Sequence, residues 1–190
     1  EKKMHALRHD MKHHLVEIGH LASRNDYVRI MKYVNQMNEY IEYQNIYVNS
    51  GNKDIDSILN YMLNIAAADG ASIETNISIP EEINIQCFDL NVILGNLLDN
   101  AIEAIRKSDE KVLAININYE KGVLFINCKN SYTGEIFVEK GKILSSKRNK
   151  SMHGIGLDNI KKITEQYHGN VEVEYDSNYF DVTVLLYILN

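Results

Sequence analysis

The sequence predicts an α+β protein in two parts, a helical hairpin over residues 1–49 and a two-layer α/β sandwich over residues 50–190. Three observations predict it. Apolar residues recur at alternating steps of three and four through the first part, as on a helix with one seam. Ser50-Gly51-Asn52 then punctuates the chain. Beyond that point helical and strand patterns interleave, the signature of helices layered on a sheet.

In the first part, Met4, Leu7, Met11, His14, Ile18 and Leu21 mark one seam. After the polar turn Ser23-Arg24-Asn25-Asp26, a second seam follows with Tyr27, Ile30, Val34, Met37, Ile41, Gln44 and Val48. Two such helices joined by a short turn form an antiparallel hairpin. A hairpin with a seam on each arm cannot bury that surface alone, so pairing with a second copy into a four-helix bundle is expected, which predicts a homodimer.

In the second part the pattern predicts a helix over residues 54–69, a strand over 72–79 and a helix over 88–107. Strands over 112–119 and 122–129 follow. Residues 131–153 are polar, hold Gly134 and Gly141 and the basic cluster Lys147, Arg148 and Lys150, and end against Gly154. A connection of that length is expected to act as a lid. A helix over 155–168 and a hairpin of strands over 170–176 and 179–189 complete the chain.

Composition narrows the class. With 45% apolar and 24% charged residues the chain is an ordinary globular protein. Its net charge of −6 argues against nucleic acid as the partner. Cys87 and Cys128 lie far apart without metal-ligand spacing, as expected of reduced thiols in a cytoplasmic setting. No run approaches the roughly 18 to 20 apolar residues that span a bilayer. The abrupt start at Glu1-Lys2-Lys3-Met4, running straight into a helical pattern, reads as a soluble fragment of something longer.

Two segments carry candidate chemistry. In Gly95-Asn96-Leu97-Leu98-Asp99-Asn100-Ala101-Ile102-Glu103-Ala104, the residues Asn96, Asn100 and Glu103 share one helix face, with Asp99 beside them. By spacing alone this stripe is equally the solvated side of an amphipathic helix. In His153-Gly154-Ile155-Gly156-Leu157, a Gly-x-Gly opens a helix directly after the basic segment. Glycines there let the backbone approach a phosphate, and the free N–H groups of the first turn attract it. Two glycines before a helix are also ordinary turn chemistry.

Taken together, the paired-asparagine helix, the basic lid and the Gly-x-Gly helix start resemble the N box and G box of the GHKL (Bergerat) ATPases. The pattern is most similar to the Agr-type peptide-pheromone quorum-sensing kinases, through Asn96 to Glu103, Ser145-Ser146-Lys147 and His153 to Leu157. The resemblance implies that the second part binds ATP with Mg²⁺. Asn100 would hold the metal, with Asn96 beside it, an amide oxygen being a suitable hard ligand. Lys147 would neutralise phosphate charge, and the G box from His153 through Gly154 and Gly156 to Leu157 would supply backbone donors. Hydrolytic relatives such as gyrase carry a glutamate where this chain has Asn96, and an amide is a poor general base, so the site is suited to transfer rather than hydrolysis. The chain departs from the family in lacking Asp-x-Gly-x-Gly, reading Asn127-Cys128-Lys129-Asn130-Ser131 instead. The likeness implies that Asn130 replaces the aspartate that accepts from the adenine amino group.

Five of the seven histidines fall within the first twenty residues. With Met4 at a and Leu7 at d, His14 occupies a seam position, while His5, His9, His13 and His20 fall on the outer face. Only His9 among these outer residues is followed by an acid, Asp10, whose carboxylate can hold Nδ1–H and leave Nε2 free to attack phosphorus. Arg8-His9-Asp10 also resembles the phosphoacceptor sequence of the Agr-type kinases, with His13 standing where they usually have asparagine. Rival readings are a decorated solvated face, or Zn²⁺ or Ni²⁺ chelation by His5, His9 and His13.

The resulting expectation is a sensor histidine kinase of a two-component system. His9 is the phosphoacceptor, Asp10 the orienting base, and a response-regulator aspartate the next acceptor. Attachment to a membrane is expected only through a sensor region absent from this chain, with residues 50–53 as the hinge. A degenerate GHKL module that binds nucleotide weakly or not at all and serves as a dimeric docking scaffold without kinase activity is the alternative, supported by the missing adenine motif.

Overall fold

In the computed structural model, the residues described are 14–37, 45–133, 137–139, 142–144 and 155–188. The chain divides into two compact units, Glu1–Glu42 and Tyr43–Asn190.

The first unit is a helical hairpin. Helix α1 runs through the described residues 14–23 and helix α2 spans Tyr27–Met37. Asn25 closes α1 in the left-handed region at φ 54°, which asparagine tolerates better than most residues. Asp26 caps α2, its carboxylate accepting from the Arg29 N–H at 3.2 Å. Leu21 is buried, and the imidazole Nδ1 of His14 lies 2.9 Å from the Tyr33 hydroxyl of the opposite arm. His14 is therefore a seam histidine, as its heptad position predicts. Ile30, Tyr33 and Val34 of the second arm are partly buried, whereas Tyr27 is 66% exposed in the single chain.

The second unit begins at Tyr43 rather than Ser50, and the reason lies in helix α3, Lys53–Ala68. Asn60 on α3 grips the extended segment before it. Its side-chain oxygen accepts from the Tyr47 and Val48 N–H groups at 2.8 and 3.1 Å, and its amide nitrogen donates to Val48 O at 2.8 Å. Asn64, one turn on, treats Asn45 the same way. Val48, expected on the second hairpin helix, is buried in the core of this unit. The expected hinge at residues 50–53 is likewise tied down. Asp56 accepts from Ser50 N–H and Oγ and from Gly51 N–H, while Asn52 caps α3 and donates to Glu81 O.

The remaining elements are β1 (Ser72–Ser78), α4 (Cys87–Ile105), β2 (Val112–Glu120), β3 (Val123–Ser131), the short ribbon β4 (Phe137–Glu139) and β5 (Lys142–Leu144), α5 (Ile155–Gln166), β6 (Asn170–Tyr175) and β7 (Tyr179–Tyr187). The ribbon lies within the expected lid. The main sheet has the order β1-β2-β3-β7-β6, with β1 parallel to β2 and the other neighbours antiparallel. Parallel pairing of β1 and β2 requires a crossover, which α4 provides. The β2–β3 turn needs positive φ at both central residues, supplied by Lys121 and by Gly122 at φ 82°.

Helices α3, α4 and α5 pack on one face of the sheet. Leu113, Ile115 and Ile117 of β2, Leu124, Ile126 and Cys128 of β3, and Val182, Val184 and Leu186 of β7 point there and are buried against Leu59 and Leu63 of α3, Leu94 and Leu98 of α4 and Ile160 of α5. The other face carries polar rows, including Asn116 donating to Asn127, and Asn127 donating to Thr183 and Asp181. One covered face and one wet face make the predicted two layers.

Candidate functional site

Helix α4 is a strong helix because Leu90, Ile93, Leu94, Leu97, Leu98, Ala101, Ile102 and Ile105 recur at steps of three and four and are all buried. The same periodicity places Asn96 and Asn100 on another stripe, one turn apart. Asn96 is half-buried and donates through Nδ2 to Val92 O at 2.7 Å. Asn100 is exposed. Glu103 continues the stripe, with Lys107 Nζ at 3.0 Å. Beside it, partial burial pushes the Asp99 carboxyl above the usual carboxylate range, with the Arg106 charge pulling the other way.

The first turn of α5 meets this stripe. A Cβ built on Gly156 would lie 3.1 Å from Asn96 Oδ1 and 3.2 Å from Asn100 Nδ2. A glycine is what allows the opening turn of α5 to come that close to both amides. The arrangement sets hard oxygen donors next to the N-terminal end of a helix, where backbone N–H groups and the helix dipole favour an anion. The following residue, Leu157, is half-buried and packs against the core, which fastens this end of α5 to the unit.

Asn130 stands at the end of the inward-facing row of β3, following Leu124, Ile126 and Cys128, and is itself buried. Its amide nitrogen donates to Ser131 O at 2.9 Å, which leaves the side-chain oxygen as the acceptor end of the amide. Behind it, the Ser131 hydroxyl accepts from Val112 N–H and donates to Glu110 O, so the end of β3 is fixed before the chain enters residues 132–154. His9, Asp10, Lys147, His153 and Gly154, together with the candidate metal ligands His5 and His13, lie outside the described residues.

Two polar residues absent from the sequence reading also join α4 to the end of α5. The Tyr167 hydroxyl donates to Asp89 Oδ2 at 2.8 Å and accepts from the Gln86 N–H at 3.3 Å. Partial burial and the Asp89 carboxylate push this phenol above its ordinary range. An aspartate in the first turn of a predicted helix is a visible start signal. No sequence signal names its partner seventy-eight residues away.

Residues 85–187, more than half of the sequence and all of the site just described, match the family of the GHKL domain. The chain belongs to the GHKL domain family. Among curated proteins, the "Probable C4-dicarboxylate sensor kinase" of Halalkalibacterium halodurans (strain C-125) is 35% identical over 95 residues. That match covers 47% of this chain and 18% of the relative, so the chain corresponds to only a small part of that protein. Among solved structures, the catalytic domain of histidine kinase ThkA superposes with a TM-score of 0.58 at 15% identity, over 73% of this chain and 95% of that one. The Acinetobacter baumannii histidine kinase AdeS gives a TM-score of 0.56 at 14% identity, covering 96% of this chain and 98% of that one. At such identities these two likenesses speak for the GHKL fold alone.

Proposed function

We propose that this chain is the phosphoacceptor and ATP-binding portion of a sensor histidine kinase, in which Mg-ATP bound between α4 and α5 phosphorylates His9. The observation that carries the reading is the approach of Gly156 to Asn96 and Asn100. It brings the N-box asparagines and the G-box helix start together in a chain of the GHKL family. The sensor-kinase relative and the histidine-kinase neighbours support it.

In this reading the triphosphate lies along the opening turn of α5, with Lys147, Gly154 and Gly156 as its donors. Asn100, with Asn96 beside it, would hold Mg²⁺, which when bound draws charge from the phosphate oxygens. The amide pair beside α5 fits such an ion: each side chain has a hard oxygen, and neither brings a competing charge. Asn130 offers its oxygen to the adenine amino group. Asp10 holds Nδ1–H of His9, and Nε2 attacks the γ-phosphorus. A nitrogen–phosphorus bond forms as the bond from phosphorus to the β,γ-bridging oxygen breaks, and ADP leaves. With an amide at Asn96 in place of a carboxylate, no side chain there is suited to activating water, which favours transfer over hydrolysis.

The finer parts of the proposal follow the resemblance. The hairpin pairs with a second copy, and the phosphoryl group passes from His9 to an aspartate of a response regulator. The whole protein is a membrane-attached sensor of the Agr-type class with this portion in the cytoplasm. The apolar side chains Leu15, Val16, Val28 and Met31, all exposed in the single hairpin, support dimerisation.

The test is incubation with γ-labelled ATP and Mg²⁺, comparing the parent chain with His9→Ala, His13→Ala and Asn100→Ala. Acid-labile label is expected in the parent and in His13→Ala, and absent from the other two. Label surviving in His9→Ala would overturn the acceptor assignment. A parent that neither takes label nor binds ATP would favour the scaffold alternative, consistent with the missing Asp-x-Gly-x-Gly.

A further inference from the structure

Helices α4 and α5 touch at two places that mirror each other. Asp89 and Asn100 are eleven residues apart on α4, and Gly156 in the first turn of α5 and Tyr167 directly after its last residue are also eleven apart. At 1.5 Å per residue each interval is about 16 Å, three turns of helix. Tyr167 meets Asp89, and Gly156 meets Asn96 and Asn100, so the two helices run antiparallel in matched register. The stripe between the two contacts is apolar and closed: Ile160 and Ile163 of α5 are buried.

The contact at the Tyr167 end has an unusual form. In an ordinary capping box, the side chain at the third helical position reaches back to the N–H of the cap residue. Here the cap residue of α4 is Gln86, which makes no side-chain cap bond, and the third helical residue is Asp89. The Tyr167 hydroxyl stands between them, accepting from Gln86 N–H and donating to the Asp89 carboxylate. The box at the start of α4 is thus completed by a residue from the far end of α5.

That far end is itself held to the sheet. Tyr187 N–H donates to Tyr167 O at 3.1 Å, and Gly169 N–H donates to Thr164 O at 2.9 Å. A Cβ on Gly169 would fall 1.8 Å from Leu185 O, so the backbone after α5 lies directly on β7. One end of α5 is therefore anchored to both α4 and the sheet, while the other presents Gly156 to the asparagine pair.

We propose that Asp89 and Tyr167 are positioning residues for the nucleotide site, forming an interhelical cap that fixes the axial register of α5 on α4 and so holds the opening turn of α5 against Asn96 and Asn100. The inference rests on the ATP-binding reading of that site. Neither residue touches the nucleotide. They act through the rigid three-turn span between the two contacts, so sliding or tilting α5 at Tyr167 displaces Gly156.

The test is ATP affinity in the presence of Mg²⁺, measured by titration calorimetry on the 190-residue chain well below its melting temperature, so that every variant is folded. Tyr167→Phe removes the hydroxyl and keeps the ring, and Asp89→Ala removes the acceptor. Each is expected to weaken ATP about tenfold, equivalent to about 1.4 kcal/mol. Asp89→Asn, which keeps an oxygen able to accept from Tyr167, is expected to bind within about threefold of the parent. Asn127→Ala, on the open face of the sheet, loses its bonds to Thr183 and Asp181 and serves as a control that lowers the melting temperature without changing ATP affinity. Parent-like binding by Tyr167→Phe and Asp89→Ala would overturn the proposal while leaving the nucleotide site intact. An equal loss in Asn127→Ala would overturn it too, by reducing the effect to general destabilisation. A parent that does not bind ATP would overturn the proposed function and this inference with it.

Discussion

The two units solve the problem of burial differently. In the α/β unit the core closes on itself: Ile55, Leu59, Leu63, Ile93, Leu94, Leu98, Leu113 and Ile126 have no solvent exposure at all. In the hairpin, Leu21 is the buried apolar residue among those described, while Leu15, Val16, Tyr27, Val28 and Met31 are each more than half exposed. A five-stranded sheet under three helices can enclose side chains on every side, whereas two helices enclose only the line between them. The named core residues of the α/β unit are thus enclosed by its own elements, whereas the named hairpin residues stay exposed within a single chain.

Core truncation sharpens the contrast most. Leu98→Ala in α4 removes a side chain fully enclosed by the sheet and is expected to cost about 2 to 5 kcal/mol in urea unfolding of the α/β unit. Leu15→Ala, at 64% exposure, is expected to stay within about 0.5 kcal/mol for a chain kept monomeric by dilution. Comparable losses at the two positions would mean that the hairpin surface is already covered within one chain.

A second experiment can break the comparison. Val28 and Met31 are 82% and 59% exposed on α2. If a second copy covers them, Val28→Asp with Met31→Asp buries two carboxylates in an apolar interface. The dimer dissociation constant, read by sedimentation, should then rise by about tenfold or more, with the melting of the α/β unit unchanged. Unaltered association would remove this face as the dimer contact.

How much of this was legible beforehand depends on how local the signal is. The helices and strands of the α/β unit were readable because their periodicities of three to four and of two persist over whole elements, as along α4 and β3. The Asn96, Asn100 and Gly156 grouping was legible only through the family pattern, since spacing alone also fits a solvated face. The segment around Val48 misled because its apolar residue continues the seven-residue beat of α2, whereas Asn60 and Asn64 recruit that backbone to α3. A side-chain amide imitating a strand partner leaves no periodicity to read. The Asp89–Tyr167 contact depends on the relative placement of two helices, which no single window of sequence contains.

The smallest effect is expected at the tip of the β6–β7 hairpin, where an aspartate does the work that Asp26 does between α1 and α2. Asp176 accepts from the Asn178 and Tyr179 N–H groups at 2.7 and 2.8 Å, and these two bonds, helped by the Lys129 charge, hold its carboxyl below the usual range. A carboxyl lowered by folding stabilises the folded state above its unfolded pKa, and that contribution fades as the pH falls through the lowered folded value. Asp176→Asn keeps an oxygen for both N–H groups and removes only the titration. The parent's melting temperature should therefore fall slightly more steeply than the variant's as the pH drops below the ordinary carboxyl value of 3.8. Because the group is fully exposed, solvent screening keeps the difference small. Identical acid limbs would mean that the two N–H groups bind the charged and neutral carboxyl equally.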